Sequence, residues 1–517
     1  MTAGNVGALR RPLFMAAAVV ILLRIPLAAF FPVLREEAHF WEWSLFPGLG
    51  YAGHPPMVAW IIRVFEPILP IQSAFGLRLG SLVFGLATLA LVSHLALRLF
   101  RDRRVAEWSL VLVLCLPLLN ATGFLMLPEA PLMFFHLLFL FWLHAALTRG
   151  HARHWVLAGF AMGLALLSQP VALLSLLAAV IFVLSSPTHR RWLRRKEPYL
   201  ALVVTVVTLS PFLHWIVRHG GIEFSNLLWE RHVVGRGISL LHAAEMLFEQ
   251  LVNTGFLLFP PLVGSLFVPT RRLPDRLREP FRLLKIQALT VLVFVFTIGF
   301  VVQTHPHWTL LAYPSAAICL AVQVSSDPSR GVHRGIPALA WASMASVMLV
   351  ATVALLAVDL LVTVDPEDFG DPWGRKITLA RHRLFGWDQL SSRLDDSLDA
   401  LPGDGPQLLF TYQYGSASRL SFSRSDDIVI DLGAIADLAP SWHRAQRYYL
   451  EPSALVGSSG IFFGDEECCG AEALREIFED ADRLRPIRQT YRGVVVREFQ
   501  VFHVQGLRAE ALHLHRR

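Results

Sequence analysis

The stretch REEAHFWEWSLFPGLGYAGHPPMVAW, residues 35–60, decides how the rest of this sequence is interpreted. It begins with Glu36 and Glu37, directly after a long apolar segment from Phe14 to Leu34, and continues with several aromatic residues and a His-Pro-Pro turn at 54–56. Acidic side chains at the end of a membrane span are unfavourable and usually functional. The tryptophans alone would equally fit the aromatic belt at a membrane surface.

The bulk composition indicates a multi-pass α-helical membrane protein. The chain has 517 residues, of which 54% are hydrophobic and 17% charged, whereas soluble domains carry about 25% charged residues. Apolar segments recur at the length of about 18 residues that crosses a bilayer as a helix. The net charge of +6 does not indicate nucleic-acid binding, because the basic residues lie in short loops between these segments.

Apolar length predicts about eleven spans. They cover residues 13–34, 73–99, 105–122, 129–147, 155–168, 171–185, 199–217, 250–268, 286–304, 307–323 and 338–363. The short pair that is divided at Gln169-Pro170 also fits one broken helix, since proline disfavours an unbroken one. With this count, every basic cluster falls on one side, and the positive-inside rule makes that side the cytoplasm. The N-terminus is then cytoplasmic and the C-terminal region external.

This orientation places the polar residues of the spans and loops together at the external surface. The group comprises Glu36, Glu37, His54, Glu129, Gln169, Arg218, His219, Glu223, Glu230, Arg231, His232, His305 and His307. The grouping predicts one active site at the external membrane surface. A transporter would instead place charged residues near the middle of the membrane and show an internal repeat, and neither pattern is clear here.

From about residue 364 the composition becomes that of a soluble α/β domain, so we expect a membrane domain at 1–363 and an external domain at 364–517. Trp387–Leu401 has the leucine spacing of an amphipathic helix. Strand-like runs follow at 407–412, 428–432, 460–463 and 493–504. The domain is interpreted as a lid or acceptor-docking module, or as a packing domain without direct function.

The first motif resembles the DEAYYW…GYFDHPPL stretch of bacterial polyprenyl-phosphate-sugar glycosyltransferases. These are membrane enzymes of the GT-C type, related to protein O-mannosyltransferases and to the lipid A aminoarabinose transferase. The likeness continues through FGLRLGSLVFG at 75–85, LPEAPLMFF at 127–135, RHGGIEF at 218–224, HPHWTLLAYPS at 305–315 and FGWDQL at 385–390. It therefore covers most of the chain, although only the first motif is specific by itself.

The resemblance implies transfer of a sugar from a polyprenyl phosphate to a cell-envelope glycolipid, polysaccharide or protein, with inversion at the anomeric carbon. Such a reaction needs a carboxylate that accepts the acceptor's proton. The resemblance assigns this base to Glu36. Glu37 is expected to orient or to contact a metal, and Glu129 to position the acceptor or a divalent metal ion, which is the candidate cofactor.

The leaving phosphate requires cationic or hydrogen-bonding donors, and arginine suits phosphate because of its bidentate fork. Arg218 and Arg231 are the arginine candidates, with His54, His232 and His307 as helpers. The arginines also fit contacts with lipid headgroups. The glutamates also fit a role in the first turn of a helix, where acidic residues are favoured.

Two departures keep other functions open. The family usually has Asp where Glu36 and Glu129 stand, and the extra methylene displaces each carboxylate enough to alter a reaction geometry. A non-catalytic homologue in envelope assembly and a lipid or sugar transporter therefore remain alternatives to an enzyme of the bacterial inner membrane.

Overall fold

The computed structural model describes residues 3–51, 54–219, 239–301, 305–326, 336–356, 364, 373–401, 407–424, 428–435, 446, 450–464 and 471–512. A helical part is followed by a part that contains a mixed β-sheet. The helices before the sheet are α1 (Ala3–Phe30), α2 (Arg35–Leu45), α3 (Met57–Phe65), α4 (Ala74–Phe100), α5 (Arg103–Leu114), α6 (Pro117–Ala121), α7 (Glu129–Arg149), α8 (Ala152–Ser168), α9 (Leu173–Ser185), α10 (Pro187–Arg190), α11 (Glu197–Arg218), α12 (Leu240–Asn253), α13 (Phe259–Leu266), α14 (Asp275–Gly299), α15 (Tyr313–Ser326), α16 (Ile336–Leu356), α17 (Trp373–Leu384) and α18 (Trp387–Asp399).

Six helices among the described residues are long and apolar enough to cross a membrane, or eight if each of two bent helix pairs is one span. The multi-pass helical fold is therefore confirmed, while the count of about eleven stays a prediction. The span predicted at 250–268 is wrong as a single helix, because α12 ends within it at Asn253 and α13 begins only at Phe259. The chain breaks between them, where Gly255 has a left-handed φ of 75°. The span predicted at 105–122 is likewise divided into α5 and α6, the latter beginning at Pro117.

A sharp bend separates α1 from α2. The two helices meet at 70°, and the turn between them contains Pro32. The apolar face of α2 is buried, with Trp41 and Trp43 almost completely enclosed. The bend turns α2 out of the direction of α1, and its first turn then carries the two adjacent glutamates.

The described residues of the C-terminal part form the strands β1 (Gln407–Thr411), β2 (Ile430–Asp431), β3 (Ser459–Gly464), β4 (Phe478–Arg483), β5 (Ile487–Tyr491) and β6 (Val494–Leu507), and the helices among them are α19 (Tyr414–Arg424), α20 (Leu432–Ile435) and α21 (Ala471–Ile477). These six strands form a sheet in the order β2-β1-β3-β6-β4, with β5 also paired to β6. Strands β1, β2 and β3 are parallel, whereas β6 is antiparallel to β3, β4 and β5.

The α/β character of this region is confirmed, and the predicted amphipathic helix is α18, which buries Leu390 and Leu394. Strands β4 and β5 were not predicted, because their alternation is short and rich in charged residues. Helix α19 was not predicted either, although it packs directly against α2. The boundary at 363/364 stays a prediction, since most residues around it lie outside the described part of the chain.

Candidate active site

Glu37 is fully buried at the start of α2, and its carboxylate accepts four hydrogen bonds. Oε1 accepts from Arg78 Nε at 2.8 Å and from the backbone N–H of Met126 at 2.9 Å. Oε2 accepts from Arg78 Nη2 at 2.6 Å and from the backbone N–H of Leu34 at 3.1 Å. A carboxylate offers about four lone-pair positions, so those of Glu37 are all in use.

Arg78, the partner of Glu37, also binds the end of α1. Its guanidinium donates to the carbonyl oxygens of Ala28, Phe31 and Pro32, at distances of 3.2, 2.7 and 2.9 Å. The last carbonyls of a helix have no partner within the helix. Arg78 therefore supplies the missing donors and, through Glu37, fixes the bend between α1 and α2.

Glu36, one residue earlier, has a different environment. Its side chain is 42% exposed, and its Oε1 accepts a hydrogen bond from Arg35 Nε at 2.6 Å. Among the described residues, no donor is within hydrogen-bond distance of Oε2. Glu36 thus has one carboxylate oxygen held in place and one without a described donor, on a side chain that is partly exposed.

Two residues of the C-terminal part lie close to Glu36. The Arg35 guanidinium is 5.7 Å from the ring centroid of Tyr414, in a cation–π contact. Burial raises the pKa of Tyr414, with a further contribution from Glu36 and an opposing one from Arg35. Burial and the nearby charge of Arg35 lower the pKa of Arg383, while Glu36 and Tyr414 oppose that change. The surroundings of Glu36 therefore come from both parts of the chain.

Glu129 begins α7 and is almost completely buried. Its Oε1 accepts a hydrogen bond from Gln169 Nε2 at 2.7 Å, and His307 Nε2 lies 3.5 Å from the same oxygen. The structure therefore brings together three residues that the sequence placed in the external group. Gln169 is in extended conformation between α8 and α9, so its amide projects from the break between the two helices.

The remaining predicted residues are less closely associated. His54 packs against the rings of Phe40 and Trp43, with centroid distances of 5.8 and 5.9 Å. Arg218 is exposed at the end of α11. Arg231 and His232 lie outside the described residues.

The metal hypothesis receives no ligand set in the described part of the chain, where no group of three or more His, Cys, Asp or Glu side chains is arranged to hold an ion. All four lone-pair positions of Glu37 accept N–H groups, so this residue does not fit a metal ligand. Glu129 stays a candidate that has one histidine beside it.

A buried polar network joins α2 to the C-terminal part. Ser418 Oγ donates to Glu42 Oε2 at 2.5 Å and lies 3.0 Å from His39 Nδ1. Because the serine hydroxyl has a single hydrogen, His39 Nδ1 must be the donor in the second bond. Gln446 Nε2 donates to Glu42 Oε1 at 2.6 Å, and Gln446 Oε1 accepts from the backbone N–H of Asp431 at 2.7 Å.

Most of these contacts were not predicted from the sequence. Arg78 could have been singled out from the sequence, because an arginine near the start of an apolar span requires a partner. No local pattern indicated Arg383, Tyr414, Ser418 or Gln446, whose partners on α2 are more than 300 positions away.

The chain is similar to known proteins in sequence and in fold. The family model described as dolichyl-phosphate-mannose-protein mannosyltransferase matches residues 53–215. Lipid A galacturonosyltransferase RgtD from Rhizobium johnstonii is 23% identical over 300 residues, which are 58% of this chain and 61% of that protein. The match therefore spans less than two thirds of the relative's length.

Two solved structures share the fold over nearly the whole chain. ArnT from Cupriavidus metallidurans bound to undecaprenyl phosphate has a TM-score of 0.66 at 16% identity, covering 95% of this chain and 97% of that one. The apo form of ArnT has a TM-score of 0.61 at 14% identity, covering 97% and 98%. These matches confirm the resemblance found in the sequence and show that the chain has the fold of the ArnT structures.

Proposed function

We propose that this chain is an integral membrane glycosyltransferase of the GT-C type that transfers a sugar from a polyprenyl-phosphate donor to a cell-envelope acceptor. The position of Glu36 carries this proposal. It is a partly exposed carboxylate with one oxygen held by Arg35 and the other without a described donor, in a fold shared with a protein that binds undecaprenyl phosphate. A lipid A-type glycolipid is the first acceptor to consider, in view of the name of the RgtD relative.

In the proposed reaction, an acceptor oxygen attacks the anomeric carbon of the sugar. Its proton passes to Glu36, while the bond from that carbon to the phosphate oxygen breaks and the electron pair leaves with the polyprenyl phosphate. The attack is in line and inverts the configuration. Glu129, held by Gln169 and close to His307, orients the acceptor. Arg218, Arg231, His54 and His232 are proposed to contact the leaving phosphate.

The proposed setting is the inner membrane of a bacterium, with the N-terminus cytoplasmic and the C-terminal domain external. The distribution of basic residues supports this orientation, because positively charged loops are retained in the cytoplasm. Glu36 and Glu129 then face the external side, where lipid A-type and other envelope acceptors are found.

The test is transfer of radiolabelled sugar from undecaprenyl-phosphate sugars, with a panel that begins with galacturonate, in membranes that contain the full-length protein. Glu36→Gln keeps the size of the side chain but cannot accept the proton. We expect transfer by the unaltered protein and a loss of about 100-fold or more in the variant, since general base catalysis contributes about 100- to 10,000-fold.

Glu66→Gln is the matched control. Glu66 is also partly exposed, and its carboxylate pairs with Arg63 at the same distance of 2.6 Å, but it belongs to α3 and its following turn. The control should transfer sugar normally. Transfer that survives Glu36→Gln would move the base to another residue, and no transfer with any donor by the unaltered protein would favour a non-catalytic homologue or a transporter.

A further inference from the structure

The surroundings of Glu36 contain more positive charge than the carboxylate balances. Arg35 and Arg383 are two guanidinium groups near a single partly exposed carboxylate. Tyr414 adds no negative charge, because burial keeps its phenol protonated by raising its pKa. The group therefore has a net charge of +1, although mutual repulsion between guanidinium groups is unfavourable.

Arg383 also has an unused donor. Its Nε is buried and has no hydrogen-bond partner among the residues that the structure describes. Buried donors in native proteins are paired with few exceptions, because an unpaired one is unfavourable. Its backbone carbonyl is bound by Trp387 Nε1 at 3.1 Å, which fixes the start of α18 relative to the end of α17. The unpaired Nε–H of Arg383 therefore belongs to a residue whose backbone position is fixed by the hydrogen bond from Trp387.

Arg35 is similarly held from two sides. Its Nε is bound to Glu36, its guanidinium lies over Tyr414, and its Cδ packs on Gly415, where an added Cβ would approach to 3.0 Å. The Nη groups of Arg35 remain as donors, since no described residue accepts from them. Arginine binds phosphate and carboxylate groups through such planar pairs of N–H groups.

We propose that Arg35, Arg383 and Tyr414 form a subsite for an anionic group, a phosphate or a carboxylate, that the acceptor carries close to its reacting oxygen. The inference rests on the proposed function. In an in-line displacement the base contacts the attacking oxygen, and the leaving group is on the opposite side of the anomeric carbon. Arg35 binds the base directly, so an anion beside it belongs to the acceptor and not to the donor phosphate.

The subsite also affects the base. An anion bound by Arg35 competes with Glu36 for the guanidinium and so weakens the hydrogen bond that holds the Glu36 carboxylate. An acceptor without the anionic group would lose both its binding contact and this effect. The C-terminal part, which supplies Arg383 and Tyr414, thereby selects the acceptor.

The test uses purified full-length protein with labelled undecaprenyl-phosphate sugar as donor and extracted envelope lipid as acceptor. We expect Arg383→Met to raise the KM for the acceptor by about 10-fold or more, the value of one hydrogen bond to a charged group, and to leave the KM for the donor unchanged. Arg488→Met is the control, because Arg488 forms an exposed ion pair with Glu498 on the sheet. It should change neither KM.

Inorganic phosphate provides a second measurement that needs no variant. We expect it to inhibit the unaltered protein in competition with the acceptor and not with the donor. Competition with the donor, or an unchanged acceptor KM in Arg383→Met, would overturn the subsite while leaving the proposed function intact. Absence of transfer by the unaltered protein would overturn the proposed function itself.

Discussion

Glu36 and Glu37 are adjacent in the sequence but occupy opposite environments. Glu37 is completely enclosed in the helical part, where it accepts four hydrogen bonds. Glu36 is partly exposed where α2 meets the C-terminal part, and among the described residues its one hydrogen-bond donor is Arg35. Successive residues of an α-helix point about 100° apart, so the first turn of α2 directs one carboxylate inward and the other outward.

The difference shows that two adjacent acidic residues can have separate roles. Glu37, with Arg78, holds the bend that positions α2, whereas Glu36 has the accessibility that proton transfer requires. Substitutions at the two positions should therefore change different properties, stability at Glu37 and transfer at Glu36.

The largest expected effect on stability is that of Glu37→Gln. This change leaves the charge of Arg78 buried without its counterion, and removal of one partner of a buried ion pair costs about 3–5 kcal/mol. Thermal unfolding of the detergent-purified protein measures the loss. Glu36→Gln should unfold at the temperature of the unaltered protein.

A double variant distinguishes the buried charge from other causes. Glu37→Met together with Arg78→Met removes both charges, and replacing a buried pair by apolar residues is often close to neutral. The double variant should be more stable than Glu37→Gln, although it loses the Arg78 bonds to the end of α1. Equal instability of the two variants would mean that those backbone contacts, and not the charge pair, hold the bend.

Glu129→Gln tests the second carboxylate of the candidate site and should lower transfer by about 100-fold, the scale of a misplaced reacting group. Gln169 and His307 would lose the charge that they contact, while the side-chain size is retained. Transfer kinetics with labelled donor measure the effect. An unchanged rate would remove Glu129 from the reaction and leave it as a structural partner of Gln169.

The sequence could predict features that depend on local composition or on a motif. Apolar length indicated the multi-pass fold, and α18 followed from the spacing of its leucines. The first motif indicated the GT-C family and singled out the two glutamates. It could not tell that Glu37 is enclosed, because its partner Arg78 is 41 positions away and belongs to a different helix.

The packing of α19 against α2 could not be predicted for a related reason. Helix α19 has no strong apolar periodicity, and its buried face is rich in serine, with Ser416, Ser418 and Ser421. Its contacts with α2 depend on the way in which two distant parts of the chain pack. Hydrogen bonds such as that between Ser418 and Glu42 leave no pattern in either segment.

The buried polar network that joins α2 to the C-terminal part predicts a smaller effect on stability, which depends on pH. Asp431 is buried beside Glu42, and burial raises its pKa well above the usual value, whereas backbone hydrogen bonds from Ala434 and Gly433 oppose the change. The folded protein therefore binds this proton more tightly than the unfolded chain. The resulting stability is complete below the ordinary aspartate pKa of about 4 and is lost as the pH rises through the raised value.

Asp431→Asn removes this titration and keeps the size of the side chain. We expect the variant to gain stability over the unaltered protein as the pH increases, by about 1.4 kcal/mol for each unit by which the pKa is raised. Melting temperatures at several pH values measure the difference. Parallel curves for the two proteins would show that Asp431 titrates normally.

The smallest effect should come from the ion pair of Arg63 and Glu66, whose N–O distance of 2.6 Å equals that between Arg78 and Glu37. The difference is exposure, since the Arg63 and Glu66 side chains are 47% and 31% exposed and both members of the other pair are at 0%. Water and salt screen an exposed pair, so Glu66→Gln should cost less than about 1 kcal/mol. A loss close to that of Glu37→Gln would show that distance, and not burial, sets the energy of these pairs, and the contrast between the two glutamates of α2 would lose its physical basis.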